Sequence, residues 1–583
     1  MHPMLTWSYH LLLFLVCFAL GLRPSHALPP SLAGSLPGGV AGFIEISGAV
    51  DLLKKLEKSS ALQWALSTEE YRRYEASDDY RKLNAVRATA QLMLGMPVWD
   101  AAAGLLSGRI AAGIYFDPAK QAQPTSIALL QPENREILQK VRDVLTPLLD
   151  ASATTVDTGT LCAGTTTWQT KDGAFLCLHN DWIAATQQRD LLEKTLAILG
   201  GSKTSPALNT DPGFAAMQQQ TGSAPHMVAW LNTPLLRQSL GKRFGIPARM
   251  ENGLASLLLG GLVELAAQSD FTAATLNFTD TGAGLRLTVS GDPAKLPAPA
   301  ALWFPQHPES GTIALPQTPG TIAAVTVHRK LGEWYRHRDQ LLADSLLPGF
   351  DKFETDIGNL LPRKDFGQDV LPLIGNNFTL VAALQDYTHL SGSPGIKLPA
   401  FAAIFDLPKP SEGADTFALF FQTLCAILNL QAGQEGRQPS VLDSELYKAT
   451  KISMSRFLEK PAGDRLPIAY NFQPAGACVG RKYIIATSLQ LCRDLIDHFK
   501  DPESLKWQNQ CSEWRLHADS LAKLAELNEG FLRSQEIQKG HAAGAAEQRI
   551  GLLLKGLRQL EGLHYQSTTA DGLLHMKLDL NWK

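Results

Sequence analysis

Charge of one sign, cysteine in quantity and long apolar runs are all scarce in this chain of 583 residues, and each shortage excludes something. Lys and Arg number 53 against 56 Asp and Glu, a formal net charge of −3. Such a balance gives no steering field for nucleic acid or an anionic membrane, so no nucleic-acid partner is expected. Beyond the N-terminus no apolar stretch reaches the roughly 18 residues expected of a transmembrane helix. The run from Leu254 to Ala267 is broken by Gly260, Gly261 and Glu264. Six cysteines lie beyond the first 27 residues: Cys162, Cys177, Cys425, Cys478, Cys492 and Cys511. They are too sparse for a disulfide-built scaffold. No His-Glu-x-x-His, Cys-x-x-Cys, Gly-x-Ser-x-Gly or Gly-x-x-x-x-Gly-Lys-Ser/Thr pattern occurs. Metal, nucleophile and phosphate chemistry therefore find no motif. No catalytic, cofactor-binding or metal-binding residue is assigned, and no cofactor is expected.

What is present begins with an export pattern. Leu11 to Leu22 is an apolar run of twelve residues, and Ser25-His26-Ala27 supplies small residues where signal peptidase reads. Cleavage of residues 1–27 after Ala27 is expected, which places the chain in the periplasm or outside the cell. The stretch before the run has no Lys or Arg, and an uncleaved anchor starting near Leu5 is the alternative. Cys17 lacks the preceding small residue of a lipoprotein site. Losing the leader removes only Arg23 among the charged side chains and leaves 52 basic and 56 acidic residues, a formal charge of −4. With 45% hydrophobic and 19% charged residues the remainder is globular, and it is long enough for two domains.

Those domains read as two diverged copies of one unit, residues 37–291 and 319–583. Pro37-Gly-Gly-Val-Ala-Gly-Phe-Ile-Glu-Ile opens the first and Pro319-Gly-Thr-Ile-Ala-Ala-Val-Thr-Val the second. Each closes on a hairpin, Leu276 to Val289 around Gly284 and Leu563 to Leu578 around Gly572. Between them, residues 292–318 form a Pro-rich linker. Fixed φ angles and missing donors make it stiff and partly extended, and Trp303 and Phe304 should press it against one or both domains.

In copy one, helical periods cover Leu52 to Leu66, Glu69 to Leu94 with a capping box at Ser67 and Glu70, Pro97 to Leu106, and Glu133 to Leu149. Strands are expected at Ile110 to Phe116, Ser126 to Leu130, Leu161 to Thr170 and Gly173 to His179. In copy two they are expected at Phe378 to Leu384, Phe401 to Leu407, Leu446 to Phe457 and Pro467 to Phe472, with a helix from Asp415 to Leu428. Asp181-Trp-Ile-Ala-Ala-Thr leading to Arg189-Asp-Leu-Leu matches Lys482-Tyr-Ile-Ile-Ala-Thr leading to Arg493-Asp-Leu-Ile, each a strand entering an amphipathic helix. Hairpins mixed with helices predict an α+β class: two tandem copies of a mixed domain with a largely antiparallel sheet and packed helices.

The opening Pro-Gly-x-x-Ala-Gly-Phe-Ile-Glu-Ile strand, the passage Leu94-Gly95-Met96 to Leu105-Leu106-Ser107-Gly108, and the Ile-Ala-Ala-Thr step resemble an exported bacterial family catalogued as a domain of unknown function. The resemblance spans nearly the whole chain after the leader. It implies the fold and carries no activity or catalytic residues.

Several residues invite a chemical reading. Asp157-Thr-Gly and Asp280-Thr-Gly suggest an aspartic-protease pair, yet both lie in copy one at non-equivalent places, and Asp and Gly suit tight turns. Aligning Ala184-Ala185-Thr186 with Ile485-Ala486-Thr487 sets Cys177 on Cys478, which suggests a small buried residue in each core. Cys478 with Cys492, or Cys492 with Cys511, is the disulfide to expect if one forms. His564 and His575 could face each other across the last hairpin. His328-Arg329-Lys330 and Arg336-His337-Arg338 flank Trp334 and Tyr335, as in polyanion sites, but helical spacing gathers the aromatics on one semi-apolar face. Asn277 and Asn377 begin glycosylation patterns inside expected strands. The function expected from all this is noncatalytic binding or scaffolding in the cell envelope, with an unknown protein or envelope component as partner. The alternative is an exported hydrolase whose site forms in the inter-domain cleft.

Overall fold

The computed structural model describes residues 31–50, 66, 69–116, 124–156, 158, 161–202, 205–220, 225–241, 249–306, 311–361, 363–436, 439–457 and 463–583. The chain divides into two compact units. The first comprises Met1–Gly245 and Gln268–Ser290, the second Ile246–Ala267 and Gly291–Lys583. Both are α+β.

The first unit is built on ten strands: β1 (Gly42–Ser47), β2 (Arg109–Phe116), β3 (Pro124–Gln131), β4 (Thr154–Val156), β5 (Thr166–Gln169), β6 (Phe175–Leu178), β7 (Ile183–Thr186), β8 (Met227–Asn232), β9 (Phe271–Thr279) and β10 (Gly282–Ser290). Each pairs antiparallel with its neighbours in the spatial order β10-β9-β8-β1-β2-β3-β7-β6-β5-β4. In β1, Phe43, Glu45 and Ser47 alternate with more exposed residues, so one face enters the core. Phe43 meets Phe214 edge-on at 5.3 Å between ring centroids, and Phe214 meets Trp230 at 5.6 Å. Glu45 lies in the same layer. Its carboxylate accepts from Arg109 at 2.5 Å and from the Leu32 backbone N–H at 2.7 Å, so the buried charge is paired and hydrogen-bonded, as burial demands.

Helices α1 (Asp78–Leu94), α2 (Val98–Leu105), α3 (Arg135–Ser152), α4 (Arg189–Leu199) and α5 (Thr233–Leu240) accompany these strands. Side-chain caps start three of them: Ser77 accepts from Tyr80 N–H, Asn134 from Ile137 N–H and Asn232 from Leu235 N–H. The expected single helix from Glu69 to Leu94 is broken in two at the Ser77 cap, with a short helix over Glu69–Glu75. The capping box at Ser67 and nearly all of the helix expected over Leu52 to Leu66 lie outside the described residues.

The second unit also has ten main strands: β11 (Thr321–His328), β12 (Asn377–Ala383), β13 (Ala400–Asp406), β14 (Ser440–Tyr447), β15 (Thr450–Phe457), β16 (Ala475–Val479), β17 (Lys482–Ala486), β18 (Ser512–His517), β19 (Leu560–Ala570) and β20 (Leu573–Trp582). Their antiparallel order is β20-β19-β18-β11-β12-β13-β17-β16-β15-β14. It is the order of the first unit, strand for strand. Its helices include α6 (Gly253–Gln268, all but its last residue in this unit), α7 (Leu331–Arg336), α8 (Leu347–Leu360), α9 (Pro410–Gln434), α10 (Leu489–Lys500), α11 (Ala518–Leu527) and α12 (Ala543–Gln559).

One face of this sheet is sealed. Ala324, Val381, Ala402, Ile404, Ile484 and Ala486 pack with Leu491, Cys492, Leu495 and Ile496 of α10. The other carries a second core in which Phe405, Phe417 and Tyr483 meet Leu361, Val370 and Leu373. The stretch Leu446 to Phe457 is no single strand. Lys448 and Ala449 turn at φ 47° and 62°, and β14 and β15 form a hairpin there. Ile468–Asn471 is a 3-10 turn, and β16 supplies the strand expected at Pro467 to Phe472. The linker is not simply extended either, since Pro293–Lys295 and Ala298–Ala301 form short helical turns. Trp303 and Phe304 are each 1% exposed.

Trp303 is buried against α6. A Cβ added at Gly261 would lie 2.7 Å from the Trp303 Cβ, and one at Gly260 2.7 Å from its Cζ2, so these glycines let the indole reach the helix backbone. Gly261→Ala is expected to destabilise the protein by about 1–3 kcal/mol despite its better helix propensity, because Trp303 must move. Gly551→Ala in α12, where an added Cβ meets nothing within 4 Å, is expected to stabilise by up to about 1 kcal/mol. Urea denaturation of the two variants against wild type checks both signs.

Candidate ligand-binding site

The basic aromatic patch resolves into core rather than surface. Trp334 and Tyr335 of α7, between the two halves of the patch, are buried, whereas Arg336 in the second half is exposed. Arg329 is buried too, and its guanidinium is satisfied by backbone. Nε donates to Leu257 C=O at 3.0 Å and Nη2 to Leu258 C=O at 3.0 Å, both on α6. Nη1 donates to the carbonyls of His328 at 2.6 Å, Cys511 at 3.2 Å and Trp303 at 3.5 Å. Burial pulls its pKa down to about 10, which leaves it a cation at neutral pH. Beside it, neither ring nitrogen of His328 has a hydrogen-bond partner, and burial, aided by Arg329 and Lys330, holds the imidazole down to about 4.

Among the described residues of this unit, two apolar cavities stand out. One, of about 510 Å³, lies between α7 and α8 and is lined by Trp334, Tyr335, Phe350, Phe353 and Phe366. These rings pack edge to face at 5.0–5.8 Å, and the polar groups at its margin are already engaged: Tyr335 Oη donates to Glu354, and Arg338 stacks 4.3 Å over the Tyr335 ring. Burial and Glu354 raise the Tyr335 pKa. This space is the margin of an aromatic core.

The other, of about 480 Å³, is a groove between α9 and the sheet. Helix α9 turns Gly413, Phe417, Phe421 and Cys425 inward at four-residue spacing, the interval that keeps side chains on one helix face. Gly413 lies against Leu407, and Gly476 leaves room for the Phe421 ring. The C-terminal half of α9 is tied down by Asn429, which accepts from Ser440 N–H at 2.7 Å. Beyond Phe421 the helix and sheet part. Leu424, Cys425 and Leu428 then face Val325, Leu380, Phe401, Ala403 and Ile485 across open space. Phe401 and Leu428 are each 50% exposed. Thr487 brings the one side-chain hydroxyl to the lining, and it already accepts from Phe401 N–H at 2.8 Å. Burial raises the Cys425 thiol to about 11, so it stays protonated at neutral pH.

From Thr416 to Gln434 helix α9 has no charged residue, whereas α3, at the same place in the first unit's strand order, carries charges throughout. Leu419, Ile427 and Leu430 are exposed on α9. At 25 residues and a mean hydropathy of 1.3 over its most apolar window, it is long and apolar enough to cross a membrane by length and composition, although its apolar run is interrupted by polar amides. Gln422 and Asn429 are among the amides that break the run.

The other residues singled out by sequence are not brought together. Asp157 lies outside the described residues. Asp280 sits in the two-residue turn between β9 and β10, as its turn chemistry suggests. Among the described residues all six cysteines are free. Cys177 is fully buried and accepts from Thr167 Oγ1 at 3.3 Å, whereas Cys478 is half-buried at the edge of the Phe405–Tyr483 core, so the two do not share one environment. His564 and His575 do not face each other: His564 is opposite Asp579 and His575 opposite Thr568. His564 instead meets the buried carboxylate of Glu513 at 2.8 Å, a partner from a strand 51 residues away that no local pattern signals. Asn277 and Asn377 both lie in strands, and Asn377 is buried. Among the described residues no cluster of three His, Cys, Asp or Glu could hold a metal ion.

No family model matches the chain, and no curated protein matches it. Among solved structures, crystal forms IV and I of TP0453 are similar at 8% identity and a TM-score of 0.24 each, covering 45% and 47% of this chain and 81% and 84% of theirs. A likeness this slight carries no argument about fold or function.

The buried imidazole has a measurable consequence. Between about pH 6.5, the ordinary histidine value, and about 4, the unfolded chain binds a proton that folded His328 refuses, so stability falls as pH is lowered through that window. His328→Leu should flatten the slope by up to about 3 kcal/mol across it. His498 and His517 are lowered in the same direction, so denaturant melts of wild type and variant at matched pH values isolate His328.

Proposed function

We propose that this chain is a noncatalytic exported protein that binds an apolar ligand in the groove beneath α9, with the leader expected at residues 1–27 cleaved on export. One observation carries the reading: an apolar sheet face left half-covered by an apolar helix. Such a surface is expensive to leave in water, and exposed apolar concavities of this kind mark binding sites. The absence of charge from Thr416 to Gln434 supports it, since a helix that faced only water would carry a polar outer face. The identical strand order of the two units supports tandem duplication, and with it membership of the exported family that the sequence resembles. On that reading α9 is the specialised member of a helix pair, with α3 the unspecialised one.

The test is fluorescence of N-phenyl-1-naphthylamine titrated into the mature protein. Saturable enhancement with micromolar affinity is expected, weakened at least about fivefold by Leu428→Asp, a change at a half-exposed position. A protein that gives no saturable enhancement would sink the reading.

A further inference from the structure

Resting on that reading, we infer that the groove beneath α9 takes the single hydrocarbon chain of a monomeric amphiphile and recognises the tail alone, leaving the head in water. The lining excludes the other occupants in turn. A peptide strand would need an open sheet edge, but β11, β12, β13 and β17 each have neighbours on both sides. A peptide helix is about 10–12 Å across, so one turn alone displaces roughly 400–600 Å³. The whole groove holds about 480 Å³. A single hydrocarbon chain is apolar along its whole length, as the lining is.

Charge complementarity narrows the chemistry. The groove offers no ionised group along its walls, and its lone hydroxyl, Thr487, accepts from Phe401 N–H and has only its single O–H left to give. A ligand carrying a polar group inside would lose that group's hydration without replacement, at a cost apolar contacts this few could not offset. An unsubstituted alkyl chain loses nothing. Nor is there a cation at the walls to hold a carboxylate or phosphate, so affinity must come from buried methylenes. Phe401 and Leu428, each half-exposed, mark the mouth where the chain leaves the groove for its head.

The experiment displaces bound N-phenyl-1-naphthylamine from the mature protein with alkyl chains of ten to sixteen carbons, kept below their micelle concentrations. Three heads are compared on each chain: carboxylate, trimethylammonium and maltoside. Each added pair of methylenes is expected to tighten binding roughly fifteenfold until the groove is full. Changing the head should move it by less than about threefold, since no wall charge meets it. Ala403→Phe, which fills the groove, and Leu428→Asp, which polarises its mouth, should each weaken every chain by at least about tenfold, with the thermal melt showing that both variants fold. A flat chain-length series, a strong head preference, binding to phospholipid vesicles without binding of monomers, or displacement unaffected by both folded variants would overturn the inference. If the probe binds and no alkyl chain displaces it, the apolar-ligand reading survives and this one falls. If the probe does not bind, both fall.

Discussion

A single buried guanidinium organises the second unit. Arg329 follows directly on β11, and its three nitrogens reach carbonyls on α6, on the linker segment at Trp303 and on the residue before β18. Among the described residues its partners include no carboxylate. A buried cation held by neutral dipoles is tolerable only if nearly every N–H finds an acceptor, because an unmet one keeps its full desolvation cost. The positions of three chain segments far apart in sequence are thus fixed by one side chain's geometry. Trp303 reinforces the same place, since its indole N–H donates to Leu257 C=O, which also receives Arg329.

That anchoring leaves the opposite part of the unit free to be incomplete. Where Phe405, Phe417 and Tyr483 stack within 4.6–5.7 Å, α9 lies close on the sheet. Toward Leu428 the layers separate, and small residues such as Ala403 do not fill the gap. A well-packed core closes such spaces, as α10 does on the other face with Leu495 and Ile496 both fully buried. The two faces of one sheet therefore differ in kind. One is closed by the chain itself; the other keeps an open apolar groove.

The layout was legible wherever local chemistry and global pairing agree. Asp571-Gly572 closes β19 on β20 with both residues at positive φ, the two-residue turn that Asp-Gly favours, and the hairpin could be read from it. Lys448-Ala449 makes a similar turn between β14 and β15 with residues that resist positive φ, so the sequence there reads as one continuous strand. The step from Ile183–Thr186 into α4, and its counterpart into α10, follow from an alternating strand running into a helical period. The groove had no such signal. Its walls come from β11, β12, β13, α9 and β17, and none bears a polar motif that a search for chemistry would catch. Arg329 was legible as charge but not as buried charge, because its acceptors are backbone carbonyls, and backbone carbonyls leave no trace in composition.

Helix α6 stands earlier in the chain than the last hairpin of the first unit, yet it belongs to the second. During synthesis it emerges before any of its acceptor-seeking partners exist: Trp303 follows by tens of residues, Arg329 later still, and Cys511, which completes the guanidinium's shell, near the end. The carbonyls of Leu257 and Leu258 on this helix therefore have no Arg329 to accept from until the growing chain reaches it. A nascent chain stopped between residues 268 and 302 has α6 without Trp303, and one stopped before residue 329 has it without Arg329.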